Sequence, residues 1–399
     1  VDRLSGVTKN HDWGSPSLIP SFLGKDEDGL PWAEQWFGAH QLGPGLLDSG
    51  TDLRSAIDSD PTAFLGPSTQ YMFGDQLPYL VKLIAPARAL SLQVHPGRSL
   101  AVQGFEQDNA AGIPIGATSR VFQDTTHKPE MIYALTDFVA LVGFCVRRQA
   151  RARLEGLDCH LASRLSRRLR LAAGRGVKPV VSWILDSEDG PTPTQVKDFA
   201  AACSERLRDG SSPEPEIDSI IARLQVDFPG EPGIVMCFLM NYLHLLPGTA
   251  AFVPTGTVHS YQSGLGLEVM ANSDNVIRAG LTSKHIDPQL FLDSANFDGI
   301  PPTRIAPEHP IPGIDLFRSP VEDFELTVAS PNAGNPNLPN PLRLPGTGPR
   351  ILVGLNRQVG IETLAGTTTI SRGQALFISD FDGPILLSGV GKVAQVSVP

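Results

Sequence analysis

The segment Ser91-Leu92-Gln93-Val94-His95-Pro96 sets an amide and an imidazole two positions apart. Alternate side chains of a strand share a face, so Leu92 and Val94 enter a core while Gln93 and His95 project together from the other side. Their Cα atoms then lie about 7 Å apart, close enough for both side chains to reach one ion. The segment Thr126-His127-Lys128-Pro129-Glu130 applies the same spacing to charges. Pro129 pushes Lys128 toward extended backbone, so an ammonium and a carboxylate share a face just ahead of a very apolar pair of runs. That place suits the mouth of a sheet better than an open surface, where an ion pair contributes little.

A third segment runs from Val253 through His259 and Tyr261, and on through Glu268 and Asn272-Ser273-Asp274-Asn275 to Arg278 and Lys284. A turn followed by a His-bearing strand supplies another imidazole. The Asn272 to Asn275 stretch reads either as a hydrogen-bonded turn or as polar groups gathered at a site. Arg278 and Lys284 bring two cations to the same unit. The formal net charge is −10, which argues against nucleic acid or an anionic membrane as partner, since both need a positive field. A small anionic substrate remains compatible, provided that cations are placed locally.

The elements that must position these groups are mostly strands. Gly and Pro, 39 and 35 residues, are spread through the chain, as many short strands joined by turns require. Residues 77–85, 90–95, 131–135 and 138–144 are apolar runs of strand length. Between about 147 and 224 the spacing becomes helical. Val196, Phe199, Ala200, Cys203 and Leu207 share one face, and Ile217, Ile220, Ile221 and Leu224 form a second stripe. This reads as a helical insertion between β segments. Its arginines (147, 148, 151, 153, 164, 167, 168 and 170) lack interleaved aromatic residues and read as solvated helix faces. The acidic stretch 211–216 reads as a solvated loop. Strand signals return after Pro229, a Pro-rich stretch at 300–312 reads as a linker, and the tail from about 316 is again strand-rich. A weak repeat aligns Gly248, Ala250 and Phe252 with Gly373, Ala375 and Phe377, and sets Pro384 opposite His259. The second copy would share the sheet and lack the ligand.

Cys145, Cys159, Cys203 and Cys237 form no Cys-x-x-Cys pair, which excludes a thiolate zinc knuckle and a dense disulfide framework. Reduced thiols are expected. The start at Val1-Asp2-Arg3-Leu4 shows no basic region leading into an apolar one, and no apolar run approaches the ~20 residues of a membrane span. The expectation is a cytoplasmic protein with no membrane partner.

Together, residues 92–96, 127–130 and the run from His259 to Lys284 resemble the motifs of type I mannose-6-phosphate isomerases, a family of the cupin superfamily. Asn10 to Gly14 around Trp13, and Ala33-Glu34-Gln35-Trp36-Phe37-Gly38-Ala39-His40, resemble it too. The likeness spans about residues 7–290, and the tail fits the family's terminal β domain. It implies a mainly β fold of cupin domains (double-stranded β-helix, or jelly roll) with a helical insertion. Residues 1–145 and 229–300 would form the metal-binding catalytic domain, 146–228 the helical insertion domain, and 301–399 a metal-free cupin-like β domain.

The resemblance further implies one zinc ion per chain, held by Gln93, His95, Glu130 and His259. Two imidazoles, one carboxylate and one amide oxygen suit a borderline cation and leave room for water or substrate. Calcium would demand more oxygen ligands, whereas ligand types alone leave iron and manganese open. The implied activity is the interconversion of mannose 6-phosphate and fructose 6-phosphate through a cis-enediol. Lys128, Asp274 and Arg278 are implied as catalytic residues, and Trp13, Ser91, Tyr261, Glu268 and Lys284 as substrate-binding ones. Asp274 is favoured over Glu268 as the proton-transfer base, with a deprotonated Lys128 as alternative. His11 and Ser283 depart from the family's usual Tyr and Pro, which bears on substrate preference more than on catalysis. A non-catalytic bicupin that binds a sugar or a metal is the competing reading. An iron oxygenase would need a two-His, one-carboxylate set with open positions, to which Gln93 and Lys128 are foreign. The expected assembly is a monomer.

Overall fold

The computed structural model describes residues 1–117, 119–172, 174, 176–331 and 340–399. The strand Tyr79–Ile84 is buried at every position and has different surroundings on its two faces. Tyr79, Val81 and Leu83 pack with Met131, Tyr133, Leu267 and Val269 in one apolar core. The alternate positions, Lys82 and Ile84, face the interior of a sandwich. This strand belongs to an antiparallel seven-stranded sheet in the order 303–305, 250–253, 130–134, 266–271, 79–84, 34–37 and 7–9.

A five-stranded sheet closes the sandwich, in the order 277–280, 92–94, 259–263, 138–144 and 240–245. Phe138, Ala140, Val142, Leu243 and Tyr261 fill the space between the two sheets. Leu92 and Val94 point the other way, into a core shared with the helical layer. Gln93 therefore faces the sandwich interior, as period-2 alternation requires.

The helical layer comprises Arg147–Arg153, His160–Leu171, Lys178–Ile184, Pro193–Arg208, Pro215–Asp227 and Gly233–Phe238. Pro193–Arg208 opens with a capping box between Thr192 and Gln195, which satisfies backbone donors at both residues. Its buried face carries Val196, Phe199, Ala200 and Cys203, but next comes Arg206 rather than Leu207. The Arg206 guanidinium grips Asp218 through two bonds of 2.5 and 2.7 Å and donates to the Arg153 carbonyl at 2.6 Å. Arg153 is itself buried. It pairs with Glu214 at 2.7 Å and donates to the carbonyls of Phe238 and Met240 at 2.8 and 2.7 Å. The expectation of solvated arginines and a solvated acidic loop thus fails at Arg153 and Glu214. There the charges pin helices to the strand Met240–Leu245. Arg164 and Arg168 do stay at the surface, where both reach Asp189.

A second sandwich joins a seven-stranded sheet (314–318, 325–329, 392–397, 350–356, 375–378, 2–5, 46–47) to a four-stranded one (342–343, 386–389, 359–363, 366–370) over an apolar core. The two seven-stranded sheets pack on each other. The sequence repeat has a structural counterpart there: Phe252 and Phe377 enter the same core. Each strand is led in by a glycine at positive φ, 89° for Gly248 and 79° for Gly373, a conformation that disfavours a side chain. The layers run in the order helices, five, seven, seven and four strands, a mainly β cupin fold with inserted helices.

Sequence blocks and sheets do not coincide at two places. Asp2–Ser5 and Leu46–Leu47 join the second sandwich, although they fall in the block 1–145. Thr303–Ile305, inside the stretch read as a linker, is an edge strand of the first sandwich against Ala250–Val253. An edge strand needs one neighbour only, which lets it form amid prolines. Among the described residues, no helix is long and apolar enough to cross a membrane, and the four cysteines are free.

Asp218→Ala leaves the Arg206 guanidinium buried and unpaired, so stability is expected to fall by about 3–5 kcal/mol, read as a lower urea midpoint. A loss under about 1 kcal/mol, the scale of an exposed pair, would show that the pair holds nothing together.

Candidate active site

Gln93 and His259 are cross-strand partners, and the other neighbour of Gln93 is Arg278. Cross-strand partners carry their Cβ atoms about 5 Å apart, so register alone gathers an amide, an imidazole and a guanidinium. Glu130 opens the strand Glu130–Ala134 of the facing sheet. The ligand set therefore bridges the two sheets at one mouth of the sandwich. His95, Glu130 and His259 are buried, and their ligand atoms all lie within 4.8 Å of one another. His95 Nε2 is 2.9 Å from Glu130 Oε1, and His259 Nε2 is 3.4 Å from Glu130 Oε2. Gln93 Nε2 is 3.2 Å from His259 Nε2, and a half-turn of that amide brings its oxygen to the same point.

The outer ring nitrogens decide what the imidazoles can do. His95 Nδ1 lies 2.8 Å from the Asn275 carbonyl and His259 Nδ1 lies 3.0 Å from the Thr257 carbonyl. A carbonyl only accepts, so each Nδ1 carries the proton and each Nε2 turns a lone pair inward. Burial, helped by Lys128 and opposed by Glu130, drives His95 down to about 3 and keeps it neutral, the ligating form. Burial alone would raise the Glu130 carboxyl, but the Lys128 ammonium beside it holds it well below the usual carboxylate range. Two neutral imidazoles, one carboxylate and one amide, with their lone pairs converging, fit a single zinc ion.

Lys128 Nζ sits 2.6 Å from Glu130 Oε1 and 3.1 Å from His95 Nε2, on the shared face that the spacing implied. It stands between the ligands and a pocket of about 1240 Å³ that also exposes Trp13, Ser91, Gln93, Glu268, Asp274, Arg278 and Lys284, along with the two departures His11 and Ser283. Tyr261 is the exception among the expected substrate contacts. It is fully buried, and its hydroxyl donates to Glu130 Oε2 at 3.1 Å. Strand alternation keeps it on the side of His259 but two residues deeper, against Phe138. It supports the carboxylate from behind and does not reach the pocket wall.

The Asn272 to Asn275 stretch proves to be both turn and site. The Ser273 hydroxyl and the Asp274 backbone N–H donate to the Asp124 carboxylate at 2.9 and 2.8 Å. The Asn275 amide donates to the carbonyls of Asp124 and Thr126, each at 2.9 Å, and accepts from Gln123 N at 2.8 Å. These bonds zip the strand exit to the loop that delivers Lys128 and Glu130, leaving the Asp274 side chain at the pocket. His127 ties the same loop to Asp323 of the second sandwich at 2.9 Å.

Several pocket groups carry no role in the sequence reading. Lys82 Nζ lies 3.5 Å from Glu34 and 3.3 Å from Glu268, above the Trp36 ring. The three strands are neighbours, and register sets Lys82 opposite both Trp36 and Glu268. Burial and the Glu130 charge push Glu268 up to about 7, against the pull of Lys82. The available signal was a lone lysine in the apolar run 77–85. Burial lowers both Arg278 and Lys284, and Lys284 is lowered further by Arg278 beside it. Crowded cations of this kind, Arg278 partly buried and Lys284 at the rim, favour an anion.

The comparisons with known proteins agree. A family model described as the catalytic domain of type I phosphomannose isomerase matches residues 1–147. Mannose-6-phosphate isomerase of Escherichia coli (strain K12) is 28% identical over 423 residues, 99% of each chain. Mannose-6-phosphate isomerase 1 of Arabidopsis thaliana is 31% identical over 406 residues, covering 94% of this chain and 88% of that one. The crystal structure of mannose 6-phosphate isomerase from Salmonella typhimurium bound to its substrate, fructose 6-phosphate, and to zinc superposes with a TM-score of 0.89 at 29% identity, over 100% of this chain and 99% of that one.

Glu130→Ala removes the only anionic ligand and leaves Lys128 facing two imidazoles. Zinc content, measured by mass spectrometry on the dialysed protein, is expected to fall from one per chain to near zero. A folded variant that keeps its zinc would refute the ligand role.

Proposed function

The chain belongs to the type I mannose-6-phosphate isomerase family, and from that premise we propose that it interconverts mannose 6-phosphate and fructose 6-phosphate in the pocket beside Glu130. The observation that carries the reading is the convergence of a buried, neutral-imidazole donor set with Lys128, Asp274 and Arg278 on one pocket. The non-catalytic alternative is disfavoured because the relatives that match over nearly the whole chain are named as isomerases.

In the forward direction the C2 hydrogen leaves as a proton, an enediolate forms, and a proton returns to C1 while the hydroxyl proton passes from O2 to O1. When held by Gln93, His95, Glu130 and His259, zinc supplies Lewis-acid stabilisation of negative charge on the sugar oxygens. Asp274 is the base that takes the C2 proton and returns it to C1. Its backbone is fixed by Asp124, so the carboxylate is delivered from a rigid turn. Lys128 complements the developing enediolate without reorganising, because Glu130 and His95 already hold its ammonium in place. Arg278 and Lys284 meet the phosphate, whose charge relieves their mutual repulsion. Glu268, raised by burial and by the Glu130 charge and paired with Lys82, lines the pocket as a hydrogen-bonding group for sugar hydroxyls. Trp13 and Ser91 shape the wall opposite.

The finer assignments follow the same logic. Residues 1–145 with 229–300 act as the catalytic domain, 146–228 as the helical insertion and 301–399 as the metal-free domain, apart from the exchanged strands. The functional unit is taken to be a monomer. Free thiols suit a reducing, cytoplasmic compartment.

Turnover of mannose 6-phosphate to fructose 6-phosphate by the purified protein should vanish on chelation and return with zinc. A folded, zinc-loaded protein without turnover would overturn the assignment. Asp274→Asn is expected to lower kcat by about 10²–10⁴-fold with zinc content unchanged, whereas a fully active variant would remove Asp274 as the base.

A further inference from the structure

His40 is buried in the turn that follows the strand Glu34–Phe37, with its ring edge-on to Trp36 at 5.0 Å and 87°. Trp36 is in turn fixed by its indole N–H, which donates to Glu34 at 3.0 Å. The imidazole is thus clamped, and its two nitrogens face different neighbours. The Leu42 backbone N–H donates to His40 Nδ1 at 3.2 Å. Because that amide can only donate, Nδ1 is the acceptor, and a neutral ring must carry its proton at Nε2. Burial, opposed by Asp274 and reinforced by Lys82, Lys9 and Lys128, brings His40 down to about 4 and keeps the ring neutral.

His40 Nε2 lies 3.4 Å from Asp274 Oδ2. That oxygen is buried and has no hydrogen-bond partner among the described residues, a condition that is expensive for a carboxylate. A small rotation of Asp274 closes the gap to a hydrogen bond, and catalytic contacts commonly tighten in this way when substrate binds. An imidazolium at this place would hold Asp274 firmly as a carboxylate and weaken it as a base. A neutral N–H orients it with much less loss of basicity.

We propose that His40 is a positioning residue for Asp274: its Nε2–H takes Oδ2 as acceptor and leaves Oδ1 as the oxygen presented to the substrate carbon. The inference rests on Asp274 being the base. The signal lay in the Gly38-Ala39-His40 end of the N-terminal motif, which carries no metal ligand and no group that reaches the zinc.

Two substitutions separate this role from a structural one. His40→Asn keeps an acceptor near the position of Nδ1 for Leu42 and removes the Nε2 donor. His40→Gln places an amide N–H near the position of Nε2. On the zinc-loaded proteins, with zinc content and circular dichroism as controls, His40→Asn is expected to lose about 10–100-fold in kcat with KM nearly unchanged. His40→Gln should recover most of that loss. Combined with Asp274→Asn, His40→Asn should cause little further loss, because one interaction cannot be removed twice. Undiminished kcat in His40→Asn, or a loss that multiplies in full with that of Asp274→Asn, would overturn the positioning role while leaving Asp274 as the base. A fully active Asp274→Asn would instead remove the base itself, and the proposal with it.

Discussion

An ionised carboxylate, Glu130, is buried between two β-sheets, and much of the site can be understood as what makes that tolerable. An isolated carboxylate in an apolar interior is so unfavourable that it would take up a proton instead. Here the Lys128 ammonium and the Tyr261 hydroxyl donate to it, while the two imidazoles aim lone pairs at the same point, where a bound cation would balance the charge. The arrangement keeps the charge, and a kept charge is what makes the position a metal ligand. Lys128 is part of this compensation, so its place at the edge of the pocket follows from electrostatics before any catalytic role is assigned to it.

Holding opposite charges at such distances requires a rigid backbone, and the rigidity comes from a part of the chain that reads as chemistry. Ser273 and Asn275 spend their side chains on Asp124, Gln123 and Thr126, while the Asn275 carbonyl fixes the tautomer of His95. One turn therefore sets the loop that brings Glu130, the ring orientation of a second ligand and the position of Asp274. Three pocket groups share one support, so a change in Ser273 or Asn275 should be felt at Glu130, His95 and Asp274 together.

What was legible in the sequence follows from the range of the interactions. Gln93 with His95, and Lys128 with Glu130, are two-residue spacings, and strand alternation turns such spacings into a shared face without reference to the rest of the fold. The partners that are distant in sequence left weaker traces. Lys82 lies in an apolar run where nothing marks its parity, and only the register with Trp36 and Glu268 reveals that it faces the site. Arg153 and Glu214 read as solvated because a helical arginine usually is. The burial of Arg153, and with it the pairing of Glu214, depends on where the helices meet the strand Met240–Leu245, a tertiary fact. Tyr261 was placed in the pocket by family likeness. Its depth along the strand, two residues inward from His259, decides otherwise.

The second sandwich finds a physical reason in the same alternation. A seven-stranded sheet that turns Glu34, Lys82, Glu130 and Glu268 toward the interior gives up apolar contact on that face near the mouth. Its other face must then be covered well. That face is Tyr79, Val81, Leu83, Met131, Tyr133, Leu267 and Val269, and it packs on Phe317, Phe324, Leu326, Val328, Ile351, Val353 and Phe377 of the second seven-stranded sheet. At roughly 25 cal/mol per Å² of apolar surface, such a double layer is the large favourable contribution against which buried charges can be held in place. Tyr79 donates across the boundary to the carbonyls of Pro349 and Val396, which satisfies its hydroxyl and fixes how the sheets meet. His127 adds a tether from the loop that carries Glu130 to Asp323. The second sandwich thus supplies what the first one needs: an apolar backing for a surface whose inward side is given over to charge.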